Sequence, residues 1–507
     1  MNTTNNLTSG RLLARNTLMN LAGDIAPLVV AVAAIPVLIH GVGVDRYGIL
    51  TLVMLAVGYF GLFNFGLGRA ATRFIAEAVA SGNHSDIPGL FWTSLFLMSG
   101  FGVCGAILAA ALSPWMVGHL FKIAPPLQAE SLHAFYLLAL SLPFVISGGS
   151  LGGTLSAFQR FDLTNAVGVP TSILYYVAPL LVLPFSRSLG WIVTAIVLVR
   201  VASWVASFLL CLYVLPELRQ QISLHRPMIR PLLGFGGLVN VSGVAQSIME
   251  YADRFIIGAM LSVAAVAYYA VPYQITNKLR VIPAALSGVV FPAFSASFSA
   301  NPQRTEILFE RATRYIILAL FPAVLMIVTL APEGLTLWLG PSFAGHSSAV
   351  MRWLAIAVFI NSLAWPPFAL LQAARRPDLT AKLNLVELPA FILLLLWALA
   401  RYGVEGAAAA YAVRSAVNAI VLFTMASWLL PNLALGIVRI AKLAVVALPV
   451  LVIGVLPMAL ATKSVFLTAM VGLHALSCWA ALLEPEEKEF LRGYLRTARV
   501  AVIGAAE

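Results

Sequence analysis

Six basic residues, Arg200, Arg254, Lys278, Arg280, Arg352 and Arg414, fall inside long apolar segments of this 507-residue chain. A cation at the centre of such a segment costs roughly 2.5–3.5 kcal/mol to insert, so it faces a counter-charge or a water-filled interior. Counting about 1.5 Å per residue from the segment ends places Arg200, Lys278, Arg280 and Arg414 within a few residues of mid-depth. Arg352 lies near a segment end, where a long side chain reaches water by extending along the helix. Arg254 shares its segment with Glu250 and Asp253, and the four-residue spacing from Glu250 is that of a structural ion pair on one helix face. The acids at comparable depth are Asp24, Glu250, Asp253 and Glu387, four against six cations, which leaves the interior about two charges positive. That balance fits recognition of an anion, with Arg200, Lys278, Arg280 and Arg414 as its candidate ligands. Asp24 and Glu387 have two open roles, to hold an arginine or to relay a proton or sodium ion. Beyond such an ion, no cofactor is implied.

Other chemistry finds little footing. The seven histidines sit at segment edges without ligand spacing, so neither a metal centre nor histidine catalysis is expected. Gly148-Gly149-Ser150-Leu151-Gly152-Gly153 lacks the Lys-Ser/Thr of a phosphate-binding loop and reads as a close helix contact or a hinge.

The elements that must position the cations follow from composition. A chain 61% hydrophobic and 10% charged, with mean hydropathy +0.94, is an integral membrane protein. Its apolar stretches match the length of a spanning helix, about 20 residues, and not the shorter alternating strand of a barrel. Spans are expected near 16–39, 47–66, 88–113, 130–157, 162–185, 189–215, 233–258, 264–294, 308–331, 347–373, 379–401, 404–429, 437–460 and 464–482. Of the 31 lysines and arginines, about 20 lie in connections on one side of this series, whereas Arg46, Lys122, Arg187, Arg401 and Lys463 hold the other. Loops rich in Lys and Arg stay in the cytoplasm, so both termini are placed there. The surplus of +11 then serves to anchor the chain against anionic lipid, and nucleic acid is not expected as a partner.

The fold class expected is all-α, with about fourteen transmembrane helices arranged as two parallel six-helix lobes around a central cavity, plus two C-terminal helices. Residues 1–215 form the first lobe, 216–230 a cytoplasmic linker, 231–430 the second lobe, 431–483 the two added helices and 484–507 a cytoplasmic tail. A faint internal repeat supports the two lobes. Met19-Asn20-Leu21-Ala22-Gly23 in span one matches Val239-Asn240-Val241-Ser242-Gly243 in span seven, with Tyr47 and Tyr268 at the entries to the spans that follow. Prolines within the spans, two or more in spans one, five, eight and ten, favour helices that bend as the protein opens and closes.

Several stretches resemble a known family. Asp253-Arg254-Phe255-Ile256-Ile257-Gly258, Val266-Ala267-Tyr268-Tyr269 and Phe291-Pro292-Ala293-Phe294 are similar to the seventh and eighth spans of Wzx-type polysaccharide-transporter flippases. These belong to the multidrug/oligosaccharidyl-lipid/polysaccharide (MOP) superfamily. Asn16, Pro36, Tyr47-Gly48 and the run from Phe65 to Glu77 resemble the family's first spans. The resemblance implies a flippase that moves a polyprenyl-diphosphate-linked oligosaccharide, an exopolysaccharide or O-antigen unit, across a bacterial inner membrane by alternating access. It implies lipid-linked oligosaccharide, membrane lipids and other polysaccharide-assembly proteins as partners, and no enzymatic activity. Two alternatives stand beside it. Multidrug efflux would want an acidic cavity, and a membrane polymerase or ligase would want larger outer loops than the longest seen, about 332–347, with Glu333 its single acid.

Overall fold

The computed structural model describes residues 10–60, 67–219, 222–433, 447, 449–477 and 479, and for residues 10–25, 60 and 235–247 the helical path alone. The described chain is helical throughout and has no strand. Nine described segments are long and apolar enough to cross a membrane, and Ala26–Val42 is a shorter one. The first helices are α1 (Gly10–Val42), α2 (Val44–Phe60) and α3 (Leu67–Ala80), followed by α4 (Ile87–Trp115), α5 (Pro125–Ala157), α6 (Phe161–Val182) and α7 (Leu189–Val214). Then come α8 (Arg226–Met260), α9 (Val263–Asn277) and α10 (Val281–Ser297), and α11 (Pro302–Leu339), α12 (Pro341–Leu363) and α13 (Trp365–Ala373). The series closes with α14 (Pro377–Leu429) and α15 (Leu460–Ser477).

Every expected span that falls on described residues coincides with a helix. The apparent merger in α14 resolves at Gly403, whose φ of 60° and ψ of −143° break the helix at the expected boundary between spans eleven and twelve. That conformation is closed to residues with a Cβ, so glycine is what permits two spans to join without a loop. Residues 434–446, which include the first ten residues of the thirteenth expected span, lie outside the described residues, as do the tail 484–507 and Cys478. The outer connection expected near 332–347 is helical instead: α11 runs to Leu339, and only Gly340, at φ 89°, separates it from α12. One element is absent from the expected list. The connection after span two contains α3, an amphipathic helix that buries Leu67, Ala70, Ala71, Ile75 and Ala78 and exposes Arg69, Arg73 and Glu77.

A second internal repeat, far clearer than the one at Asn20 and Asn240, appears once the turns are seen. Leu155-Ser-Ala-Phe-Gln159-Arg160-Phe-Asp162-Leu163-Thr164 joins α5 to α6, and Leu371-Gln-Ala-Ala-Arg375-Arg376-Pro-Asp378-Leu379-Thr380 joins α13 to α14. Both turns place a non-glycine residue at positive φ, Gln159 at 55° and Arg375 at 59°. Both close with the same bonds: Arg160 N–H to the Leu155 carbonyl at 2.9 Å, and Arg376 N–H to the Leu371 carbonyl at 3.0 Å. In each the arginine then grips the aspartate two residues on, at 3.0 Å. This is a helix stop in which a left-handed residue lets the next N–H reach back to an orphan carbonyl. A further pair follows suit, with Arg73 stacked on Phe74 at 5.8 Å and Arg314 on Tyr315 at 5.7 Å.

The chain divides into two compact units, Met1–Ala270 and Val271–Glu507. The division lies within α9, beyond the 216–230 connection where the sequence reading sets its linker. In the first unit α5 packs against α4, α7 and α3, and α8 packs on α2, α3 and α4. The glycine run of α5 provides the α3 contact, since a Cβ on Gly153 would stand 2.8 Å from the Gly68 carbonyl oxygen. In the second unit α11, α12 and α14 form the core, with Phe309, Leu320, Val324 and Leu370 fully buried.

Candidate cation sites within the helices

Arg200 projects from the middle of α7, eleven residues from its start at Leu189 and fourteen from its end at Val214. At roughly 1.5 Å per residue neither end is within reach of its side chain. Its guanidinium lies over the Tyr175 ring of α6 at 5.2 Å, 3.5 Å from the Ser141 hydroxyl of α5 and 3.7 Å from the Met54 sulfur of α2. Nε is buried without a hydrogen-bond partner, and no carboxylate among the described residues approaches the group. Four helices thus hold a mid-depth charge through aromatic, hydroxyl and thioether contacts alone. Such contacts orient a guanidinium without neutralising it.

Arg414 is placed differently. Its Nε stands 3.3 Å from Glu387 Oε1, and the two side chains are 14% and 8% exposed. This contact lacks hydrogen-bond alignment, whereas Asn418 Nδ2 donates to Glu387 Oε2 at 2.7 Å. The rings of Phe391 and Tyr411 lie 4.9 and 5.1 Å from the guanidinium. Since Glu387 and Phe391 precede Gly403 and the other members follow it, the cluster fastens the two legs of α14 to each other.

Lys278 and Arg280 occupy one turn of 3₁₀ helix between α9 and α10, midway along the apolar segment Val263–Ser297. Pro283, with no N–H to offer the Leu279 carbonyl, is the local reason that regular α-helix fails there. Lys278 is exposed, and Arg280 is half-buried and donates to Asn277 Oδ1 at 3.2 Å.

Arg254 is buried and paired, with the carboxylate of Asp253 at 3.0 Å rather than with the side chain of Glu250. Glu250 contributes its backbone carbonyl, to which Arg254 Nη2 donates. Asp253, 1% exposed, also accepts from the Tyr269 hydroxyl at 2.7 Å, so α8 is bonded to α9. Arg352 donates from Nε to the Val328 carbonyl at 3.0 Å. Asp24 lies in α1, with its side chain outside the described residues.

Charges read from the sequence as plain outer-loop residues have specific partners. Glu130 accepts from Arg46 Nε at 2.9 Å and from the Leu189 N–H at the start of α7. Lys463 is 3% exposed and holds Glu333 at 2.8 Å. Tyr175 and Asn418, the neighbours that separate a bare arginine from a paired one, carry no signal in the sequence.

Three comparisons bear on this arrangement. A family model described as polysaccharide biosynthesis protein matches residues 42–348. A Shigella flexneri protein described as an O-antigen transporter is 28% identical over 416 residues, which cover 81% of this chain and 96% of that protein. Among solved structures, a multidrug resistance MATE family transporter of the MOP superfamily, inward-facing, superposes with a TM-score of 0.69 at 15% identity, covering 83% of this chain and 95% of its own. The lipid II flippase MurJ, in an inward closed conformation, does so with a TM-score of 0.68 at 11% identity, over 93% and 100%. The fold is therefore that of these multi-pass membrane transporters.

Proposed function

The chain belongs to the polysaccharide biosynthesis protein family, and from that premise we propose that it is a flippase for polyprenyl-diphosphate-linked oligosaccharide, an O-antigen or exopolysaccharide unit. The observation that carries the reading is Arg200, a mid-depth guanidinium that no described carboxylate neutralises. A diphosphate supplies the missing charge through charge-assisted hydrogen bonds, and the surrounding Tyr175 and Ser141 fix the fork that receives it.

In this reading Arg200, Lys278 and Arg280 attract the diphosphate. Arg414 is already matched by Glu387 and serves the substrate less directly. The 3₁₀ turn under Lys278 and Arg280 gives that segment a flexing point, as alternating access requires. The cargo passes from the inner to the outer leaflet of a bacterial inner membrane, both termini are cytoplasmic and the full count of spans is about fourteen. Proton or sodium coupling falls to Asp24 or Glu387, and other polysaccharide-assembly proteins meet the carrier at the membrane. The family moves polysaccharide precursors and is not enzymatic. Multidrug efflux is disfavoured because an organic cation gains nothing from an unneutralised arginine.

Deletion of the gene tests the reading. Surface polysaccharide should be lost while lipid-linked oligosaccharide accumulates on the inner leaflet, and the wild-type chain should reverse both. Accumulation on the outer leaflet of the deletion strain would place the defect after translocation and defeat the proposal.

A further inference from the structure

The hairpin of α8 and α9 turns over at Leu261 and Ser262, and two earlier parts of the chain seat that turn. On α2, Gly48 lies so close to the hairpin that a Cβ built on it would stand 1.8 Å from the Val263 carbonyl oxygen. After α4, Lys122 donates its backbone N–H to the Gly258 carbonyl at 3.1 Å and its ammonium to the Met260 carbonyl. Those carbonyls belong to the last turn of α8, which has no N–H of its own to give them, and a cation there also meets the negative end of the helix dipole. Gly258 lets Leu52 and Phe121 close on the helix axis, each within 3.2 Å of where its Cβ would be. Within the hairpin, the bond from Tyr269 to Asp253 makes α8 and α9 move as one piece.

This seat joins close backbone approach to a polar cap. It relies on backbone approach at two glycines and on an exposed lysine, with Phe255 against Tyr59 at 4.6 Å and Phe121 at 5.7 Å as its ring contacts. Leu52, Phe121, Ile257 and Val263 are buried around it, so parting exposes apolar surface that the re-formed seat covers again. The spans repeat after six, so the α8–α9 hairpin is the counterpart of α1–α2. Gly48, just past the α1–α2 turn, meets Val263, just past the α8–α9 turn. Equivalent turns that meet at one end of a duplicated carrier are where a path closes on that side.

We propose that this seat is a releasable outer latch, held by Lys122 capping α8, and that it parts and re-forms in each transport cycle. The proposal rests on the flippase reading for what the latch closes, and its test begins with a readout that does not. In a variant lacking Cys104, Cys211 and Cys478, Lys122→Cys is combined with Met260→Cys and treated in cells with a short, reducible thiol crosslinker. The crosslink should form, which reports the contact whatever the cargo. Surface polysaccharide should then fall to background and return on reduction, while each single-cysteine variant keeps under the same treatment whatever export it has without the crosslinker. Continued export with the crosslink complete would show a permanent scaffold contact, and failure to crosslink would show that the contact is not made in the membrane; either overturns the latch. If gene deletion leaves surface polysaccharide intact, the flippase reading fails independently of any crosslink.

Lys122→Met, which removes the ammonium and keeps the backbone bond, tests the capping role. Labelling of a cysteine at Leu261 by an impermeant maleimide added outside should rise roughly threefold to tenfold, the loss expected of one hydrogen bond made by a solvent-exposed side chain. Unchanged labelling would remove Lys122 from the latch.

Discussion

Two arginines of like depth differ in what surrounds them, and that difference decides what each substitution should do. Arg200→Ala deletes a charge that no described carboxylate balances, so the protein should reach the membrane in normal amount while surface polysaccharide falls at least about tenfold, the scale of one lost charge-assisted contact. Arg200→Lys should restore only part, because an ammonium cannot reproduce the fork held by Tyr175 and Ser141. Full export by Arg200→Ala would make the residue structural. For Arg414 the expectation is the reverse. Glu387→Ala strands a guanidinium between Phe391 and Tyr411 and should cost about 2–3 kcal/mol, near the low end for a buried pair because the 3.3 Å contact is poorly aligned. Adding Arg414→Ala should recover part of it. Melting of the purified protein in detergent reads both values, and strictly additive losses would show that the pair is not coupled. Depth was legible in the sequence, since it needs only segment ends and a helical rise. Pairing was not: Glu387 and Asn418 lie 27 residues before Arg414 and four after it, and only the fold back at Gly403 brings all three together.

At the scale of helices, most boundaries were readable because a bilayer sets their length and charged or turn residues end them. What escaped were elements whose definition is conformational. Gly403 is one glycine among 37, and nothing in its neighbours signals φ 60° with ψ −143°. Gly403→Ala should therefore destabilise the protein by on the order of 1–3 kcal/mol, readable as a lowered melting temperature in detergent. An unchanged melt would mean that α14 bends elsewhere. The amphipathic α3 was hidden for a different reason: its apolar stripe is one-sided, and a hydropathy window averages it with Arg69 and Arg73. The paired turns at Gln159 and Arg375 were in plain sight as matching runs ending in Arg-x-Asp-Leu-Thr. Their common backbone bonds are what identify them as one device used twice.

For the molecule as a whole, the loop charges expect an even number of crossings with both ends inside. Reporter domains fused at Met1 and at Glu507, active only in the cytoplasm, should both be active, and a split result would require a span to be added or removed. The pair of Lys463 and Glu333 bears on how that topology is reached. The described helix α15 is the least apolar of the nine long segments and carries a lysine that ends up 3% exposed. Emerging from the ribosome after α11, such a segment has a weak claim on the membrane by itself. Glu333 waits for it on α11, synthesised 130 residues earlier, and offers the ammonium a carboxylate at 2.8 Å. Biogenesis of the carboxyl end is thus conditional on a helix already in place, so a lesion at Glu333 would surface as a misrouted terminus in the newly made chain, before any cargo is involved.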